Sequence, residues 1–145
     1  MSNLKVRDVM TSNVSTISTD STIQEAAYQM KNLDVGSIPV CDNSKRPVGI
    51  VTDRDIVIRN VSEGMGGNTS VDAVMTKNVI TVSPDTDIHE AAEIMSNHQI
   101  RRLPVVENNK IVGIVSIGDL AVRDIYINEA GDALSNISQP SRPMI

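Results

Sequence analysis

The sequence predicts a mixed α/β fold (α+β type) in which two pseudo-symmetric β-α-β-β-α units pack sheet against sheet. Three observations predict it. One ordered set of residues occurs twice along the 145-residue chain. Each copy alternates short β-branched runs with apolar residues at helical spacing. Apolar residues make up 40% of the chain but aromatic residues only 1%, which suits close packing of small helices on a sheet.

The repeat covers nearly the whole chain and keeps its order throughout. Most matches lie 65 residues apart, and the spacing falls to 64 after the turn that loses one residue. A unit this small buries the faces of its own sheet poorly, so two copies are expected to share a core. The matching runs are Val9-Met10-Thr11 with Val74-Met75-Thr76, Glu25-Ala26-Ala27 with Glu90-Ala91-Ala92, Pro39-Val40 with Pro104-Val105, and Gly49-Ile50-Val51-Thr52 with Gly113-Ile114-Val115-Ser116.

The first helix of each copy begins at a capping signal. Thr22 and Glu25, and likewise Asp87 and Glu90, have capping-box spacing, and apolar residues then recur at helical intervals. The predicted strands around the helix are extended segments at Val14–Ile17 and Val79–Val82, then hairpins of Ser37–Val40 with Val48–Val51 and of Leu103–Val106 with Ile111–Val115. A second helix is expected near Asp53 and near Ile117.

These elements give the domain boundaries. We predict the first repeat at 1–63, a glycine-rich linker at 64–70, the second repeat at 71–127 and a polar C-terminal tail at 128–145. The linker glycines lack the Lys-Ser/Thr of a phosphate-binding loop and follow a helix, so they predict a connection only.

Composition excludes several classes of protein. The net charge of −5 and the scarcity of stacking aromatics argue against a nucleic-acid partner. No apolar run approaches the roughly 20 residues that span a bilayer, and the N-terminus does not resemble a signal peptide. Cys41 is the only cysteine, so no internal disulfide forms. We therefore expect a cytoplasmic protein that does not enter membranes.

The repeated motifs resemble those of the cystathionine-beta-synthase (CBS) domain, and the tandem is similar to a stand-alone CBS pair, or Bateman module. The resemblance runs from about Val6 to Asp124. It rests on the matching runs above, on Gly36-Ser37-Ile38 and Arg101-Arg102-Leu103 before the two prolines, and on Asp55 and Asp119 after the Thr52 and Ser116 motifs.

In CBS pairs, ligands bind in clefts between the two repeats, and the resemblance implies two such clefts here. The Asp accepts hydrogen bonds from ribose hydroxyls, the Thr or Ser approaches a phosphate, and the main chain after the Val-Met-Thr motif meets the adenine. The implied site A contains Thr52, Arg54, Asp55, Asn78, Val79, Ile80, Arg101, Arg102 and Pro104. The implied site B contains Asn13, Val14, Ser15, Gly36, Ser37, Pro39, Ser116 and Asp119.

The residue chemistry allows these roles, although each has a structural alternative. A carboxylate can accept from two vicinal hydroxyls, and a helix N-terminus favours an anion. The same Thr/Ser-x-x-Asp spacing is also that of a capping box. Arg101 and Arg102 would hold phosphates in site A, or they form a solvated corner before a strand. Three arginines in site A and none in site B predict unequal sites, with a di- or triphosphate in A and adenosine, AMP or nothing in B.

The predicted function is a regulatory module that binds AMP, ADP or ATP, with Mg²⁺ accompanying ATP, and that acts on an unknown partner as a homodimer. Alternatives are S-adenosylmethionine, NAD or a cyclic dinucleotide on the same scaffold, or a ligand-free interaction module. No set of nucleophile, base and orienting residue is present, so no enzyme is predicted. His89 and His98 lack partners at metal-ligand spacing, so no metal site is predicted.

Overall fold

The computed structural model describes residues 4–121, and the predicted polar tail at 128–145 lies outside them. The elements in chain order are α1 (Val6–Val9), β1 (Ile17–Ser18), α2 (Ile23–Leu33), β2 (Ser37–Cys41), β3 (Pro47–Thr52), α3 (Asp53–Asp55), a π-helical turn (Ile56–Val61), a 3-10 turn (Val71–Ala73), α4 (Ile88–His98), β4 (Arg102–Glu107), β5 (Lys110–Ser116) and α5 (Ile117–Ala121). Two small sheets with helices confirm the predicted mixed α/β class.

The described residues form two compact units. Unit 1 contains residues 4–14, 80–107 and 112–121, and unit 2 contains residues 15–79 and 108–111. In unit 2, β1 runs parallel to β2, and β2 pairs antiparallel with β3, from Ser37 opposite Thr52 to Cys41 opposite Pro47. In unit 1, β4 pairs with β5, and Val82 forms a single parallel bridge with Val105. The predicted extended segments thus form a short strand in one unit and one bridge in the other.

Each unit has its own apolar core of aliphatic side chains. In unit 1 the fully buried residues include Ile88, Met95 and Leu103, and in unit 2 they include Ile38 and Val51. The first alanine of each repeated Glu-Ala-Ala run lies on the buried helix face, where Ala26 and Ala91 have no exposed surface, whereas Ala27 is exposed. Small residues at these positions let α2 and α4 approach their neighbours closely.

The helix ends follow the sequence signals with one exception. Thr22 Oγ1 accepts a hydrogen bond from Glu25 N at 3.1 Å and Glu25 Oε1 accepts one from Thr22 N at 2.8 Å, which confirms the predicted capping box. Asp87 is the N-cap of α4, but its carboxylate accepts from His89 N at 2.8 Å. The predicted box with Glu90 is therefore wrong, because the short Asp side chain already bonds the second residue of the helix.

The second helix of the first repeat is more irregular than the sequence pattern predicts. It begins at Asp53 as expected, but it continues as the π-helical turn Ile56–Val61 after one α-helical turn. The turn buries Asn60, whose Nδ2 donates to Gly66 O at 3.3 Å, and whose main-chain carbonyl accepts from Met65 N at 2.9 Å. Widening the helix lets this polar side chain reach the chain that leaves it.

Each unit combines segments of both sequence repeats. Met10 and Thr11 open the first repeat but lie in unit 1, beside Gly113 and Ile114 of the second repeat. Met75 and Thr76 open the second repeat but lie in unit 2, beside Gly49 and Ile50. The short N-terminal segments are therefore exchanged, so that each completes the core of the unit whose sheet comes from the other repeat.

A methionine on a glycine and a pair of main-chain hydrogen bonds hold each exchanged segment. Thr76 N donates to Ile50 O at 2.8 Å and Ile50 N donates to Thr76 O at 2.9 Å. A Cβ added to Gly49 would overlap the Met75 thioether and lie 2.9 Å from its Cγ. In unit 1, a Cβ on Gly113 would lie 2.6 Å from Met10 Sδ and 3.0 Å from the main-chain oxygen of Thr11. The glycines leave the space that the methionines occupy.

We predict that Gly49→Ala and Gly113→Ala each lower the free energy of unfolding by about 1–3 kcal/mol, because the added methyl overpacks the site. Gly113→Ala should cost more, since it also meets a main-chain oxygen that cannot rotate away. Urea unfolding monitored by circular dichroism measures the effect. Gly118→Ala is the control, since its Cβ would lie an ordinary 3.6 Å from Ser116 Oγ. Equal stability of all three variants would contradict the prediction.

Candidate functional site

The first candidate corner lies where β3 ends and α3 begins in unit 2. Thr52 is the N-cap, and its Oγ1 accepts from Asp55 N at 3.0 Å. Asp55 Oδ2 accepts from Thr52 N at 3.0 Å in return. The Asp55 residue is only 8% exposed. The capping role that the spacing allowed is thus present, and it fixes the orientation of a nearly buried carboxylate.

The second corner, at the junction of β5 and α5 in unit 1, repeats this geometry. Ser116 Oγ accepts from Asp119 N at 3.1 Å, and Asp119 Oδ2 accepts from Ser116 N at 2.7 Å. Asp119 is half-buried rather than buried. In both corners one carboxylate oxygen accepts the capping hydrogen bond, and the other oxygen takes no part in the cap.

The second oxygen of Asp55 faces a cation that the sequence analysis missed. Asp55 Oδ1 lies 3.8 Å from Nε of Arg59, one helical turn further along the chain. The Arg59 Nη1 atom also lies 3.4 Å from Val74 O and 3.5 Å from Met75 O. The signal for this residue was the (i, i+4) spacing of an acid and a base on one helix face.

The residues before the two prolines are joined to the corners of their own units. Ser37 pairs with Thr52 across the β2–β3 hairpin, and Gly36 O accepts from Asp53 N at 2.9 Å. In unit 1, Arg101 O accepts from Ile117 N at 2.9 Å. Arg101 and Arg102 are exposed, whereas Pro39 and Pro104 are buried within their strands. The hairpins therefore place each pre-proline pair beside a Thr/Ser-x-x-Asp corner.

A carboxylate occupies the space beside Gly36. A Cβ at Gly36 would lie 3.1 Å from Asp53 Oδ2, so a larger residue there would displace the acid. In the second repeat the corresponding residues are Arg101 and Ile117. The two corners thus differ in charge, with an acid beside glycine in one and arginines beside an apolar residue in the other.

The predicted adenine-contacting segments follow the exchanged methionines. Asn78 is exposed with a left-handed backbone (φ 61°), Val79 is half-buried in unit 2, and Ile80 packs against the core of unit 1. Asn13 and Ser15 are exposed and Val14 is half-buried. The Thr76–Ile50 and Thr11–Ile114 bridges hold the chain just before each segment. Their contact with a ligand stays a prediction.

The structure groups the site residues within units as follows. Unit 2 holds Ser15, Gly36, Ser37, Pro39, Thr52, Arg54, Asp55, Asn78 and Val79, and unit 1 holds Asn13, Val14, Ile80, Arg101, Arg102, Pro104, Ser116 and Asp119. Arg54 is exposed beside Asp53, whose Oδ1 accepts from Arg54 N at 2.8 Å. The predicted combination of Asp55 with Arg101 and Arg102 in one site stays a prediction.

Other reactive groups do not add a site in the described part of the chain. Cys41 is buried, and that burial raises the pKa of its thiol, so it stays protonated at neutral pH. Among residues 4–121, no group of three or more His, Cys, Asp or Glu side chains could hold a metal ion. No described helix has the length and apolar content that crossing a membrane requires.

Comparison with known proteins identifies the scaffold. The family model described as "CBS domain" matches residues 6–61 and again 71–125. The chain belongs to the CBS-domain family. It is 46% identical over 133 residues to the CBS domain-containing protein YhcV of Bacillus subtilis, covering 92% of this chain and 94% of YhcV. The sequence prediction of a tandem CBS pair is therefore confirmed.

Two similar crystal structures contain ligands. The CBS domain protein PAE2072 from Pyrobaculum aerophilum, complexed with AMP, is 28% identical with a TM-score of 0.78, and the match covers 88% of this chain and 98% of that one. The CBS domain pair of protein MJ0100, in complex with 5′-methylthioadenosine and S-adenosyl-L-methionine, is 26% identical with a TM-score of 0.74, and the match covers 88% and 99%. CBS pairs that resemble this chain thus bind ligands that contain adenosine.

We predict that substitution can separate the capping role of Asp55 Oδ2 from the role of Oδ1, which takes no part in the cap. Asp55→Ala removes the acceptor for Thr52 N and should lower the free energy of unfolding by about 1 kcal/mol, the usual cost of a lost cap. Asp55→Asn keeps an oxygen for Thr52 N and should retain most of that stability. Urea unfolding without nucleotide measures both variants, and an equal loss in the two would contradict the assignment.

Proposed function

We propose that this chain is a non-catalytic regulatory module that binds an adenine nucleotide at its Thr/Ser-x-x-Asp corners. The observation that carries the proposal is the arrangement of Asp55, which is nearly buried and oriented by its cap, while its Oδ1 takes no part in the cap and lies 3.8 Å from Arg59 Nε. Such an acceptor suits a ligand with vicinal hydroxyls, because the carboxylate is already oriented and loses little conformational entropy on binding. The adenosine-containing ligands of PAE2072 and MJ0100 support it.

The arginines favour a phosphorylated ligand at one of the two sites. In the family arrangement that the sequence resembles, Arg101 and Arg102 join Thr52, Arg54 and Asp55 around one ligand. Guanidinium groups suit di- and triphosphates through paired hydrogen bonds, and Mg²⁺ would accompany ATP. Around the other ligand the family arrangement places Gly36, Ser37, Ser116 and Asp119, with no arginine. This second site suits adenosine or AMP.

The MJ0100 complex supports a second candidate ligand class, the adenosyl sulfur compounds. S-adenosylmethionine carries a sulfonium cation, which Asp53 beside Gly36 would attract and which Arg101 and Arg102 would repel. The proposal therefore assigns nucleotide phosphates to the arginine-containing site. NAD, a cyclic dinucleotide or no ligand at all remain outcomes that a thermal-shift panel of these compounds distinguishes.

Regulation requires that the ligand changes what a partner contacts. Unit 2 exposes Val57, Ile58 and Val61 on the π-helical turn, with 57%, 48% and 62% of their surfaces accessible. Exposed aliphatic side chains this close together favour an interface. We assign them to a homodimer, the assembly that the family resemblance implies, through which nucleotide binding would reach an unidentified regulated protein. The module would work in the cytoplasm, where adenine nucleotides are abundant.

Titration calorimetry tests the nucleotide assignment. Asp55→Asn should lower ATP affinity by roughly ten- to a hundredfold, since a hydrogen-bonded charge contributes about 1.5–3 kcal/mol. Asp119→Asn should leave ATP binding nearly unchanged and weaken AMP or adenosine. Equal loss of ATP affinity in both variants would overturn the unequal sites, and a wild-type protein that binds no adenosine compound would overturn the function itself.

Light scattering tests the dimer. Replacing Ile58 or Val61 by Glu should halve the mass in solution, because a charge that is solvated in the monomer would be buried in the dimer. Asn43→Glu, at the exposed β2–β3 turn, is the matched control and should leave the mass unchanged. If the Glu variants on the π-helical turn kept the wild-type mass, this face would not be the dimer interface.

A further inference from the structure

Arg59 connects two parts of unit 2 that are distant in sequence. Its guanidinium lies between the Asp55 carboxylate and the main chain of Val74 and Met75, at distances of 3.8 Å from Nε to Oδ1 and of 3.4 and 3.5 Å from Nη1 to the two carbonyl oxygens. The side chain is 53% exposed, so it does not serve the core. All three contacts are oxygens, which makes the position suitable for a cation.

The main chain that Arg59 contacts leads directly into a predicted binding segment. Thr76 is held to Ile50 by two hydrogen bonds, and Met75 is held over Gly49. Asn78, with its left-handed backbone, follows two residues later, and Val79 follows it. Anything that shifts residues 74–76 therefore shifts the segment that the family resemblance brings to the adenine.

We propose that Arg59 is a positioning residue of the nucleotide site, which sets Asp55 Oδ1 and the 74–79 main chain in a fixed relation. This inference rests on the function proposed above and adds a residue that the motif does not contain. Because Asp55 would bind the ribose and residues 78–79 the adenine, a fixed spacing between them matches the fixed spacing of base and sugar in one ligand. Arg59 thus prepares the site before the ligand arrives.

The geometry requires the fork of a guanidinium. Nε lies near Asp55 Oδ1, whereas Nη1 lies near the carbonyl oxygens of Val74 and Met75. A lysine ammonium has a single nitrogen, which cannot occupy both positions. Positioning of the nucleoside half also differs from direct phosphate binding. If Arg59 acts through Asp55 and the main chain, its loss should weaken adenosine, AMP and ATP by the same factor. If it touched phosphate, the loss would grow with the number of phosphates.

Calorimetry with adenosine, AMP and ATP on the full chain provides the test, with Asp119→Asn present in every protein compared so that the affinities measured are those of the Asp55 site. Arg59→Gln should lower the affinity for all three by the same factor, about three- to tenfold, as expected when one ordered side chain is lost. Arg59→Lys should restore only part of the loss. Hydrogen exchange of the ligand-free protein provides a second reading, because the Thr76 amide should exchange faster in Arg59→Gln as residues 74–76 loosen.

Arg46→Gln is the matched control, since Arg46 also pairs with an acid four residues away, Asp42, at the opposite end of the β2–β3 hairpin. The affinity of the Arg46→Gln variant for each of the three ligands should equal that of the protein that keeps Arg46. Unchanged affinity in Arg59→Gln, or a loss that appears with ATP but not with adenosine, would overturn the positioning role while leaving the proposed function intact. If the wild type bound none of the three, the proposed function would fail, whatever the exchange of Thr76.

Discussion

The contact of each methionine with a glycine is the constraint on which both units depend. The side chains of Met75 and Met10 fill the space that a Cβ on Gly49 or Gly113 would take. Next to each methionine, two main-chain hydrogen bonds fix the position of the segment along the neighbouring strand. The exchanged segments then complete the two cores through Val71 in unit 2 and Val6 in unit 1, neither of which has exposed surface. The same contacts fix the position of the main chain just before residues 13–15 and 78–80. Core packing and the predicted binding segments therefore share one anchor.

Sequence patterns predicted the local elements because they are encoded by near neighbours. The helix start at Thr22, the hairpins and the corners at Thr52 and Ser116 each follow from residues within a few positions. Segment exchange was not predictable, because the repeat is the same whether Met75 contacts the glycine of its own copy or that of the other. The π-helical turn was missed for a similar reason, since the Asn60 side-chain amide donates to Gly66 O, which lies in the predicted linker.

The sequence predicted which residue types form the candidate site, but it did not predict how their atoms are arranged. The Thr/Ser-x-x-Asp spacing allowed either a cap or a ligand contact; the structure shows the cap, and the ligand contact stays a prediction. Asp55 Oδ2 bonds Thr52 N, while Oδ1 lies towards Arg59. The cap restricts the side chain to one orientation, so the capping role and the proposed binding role are compatible. Periodicity alone does not reveal such sharing, because it depends on which oxygen faces which neighbour.

The charge difference between the repeats lies beside positions that both copies keep. The buried glycines, the capping corners and the left-handed helix ends at Asp34 and Gln99 recur in both copies. Gly36 and Arg101 differ at the corners, and so do their neighbours Asp53 and Ile117. A side chain at Gly36 would crowd the Asp53 carboxylate, so the two differences are coupled. The same backbone arrangement therefore presents an acidic corner in one repeat and a basic corner in the other, and the proposed difference between the two sites rests on that contrast.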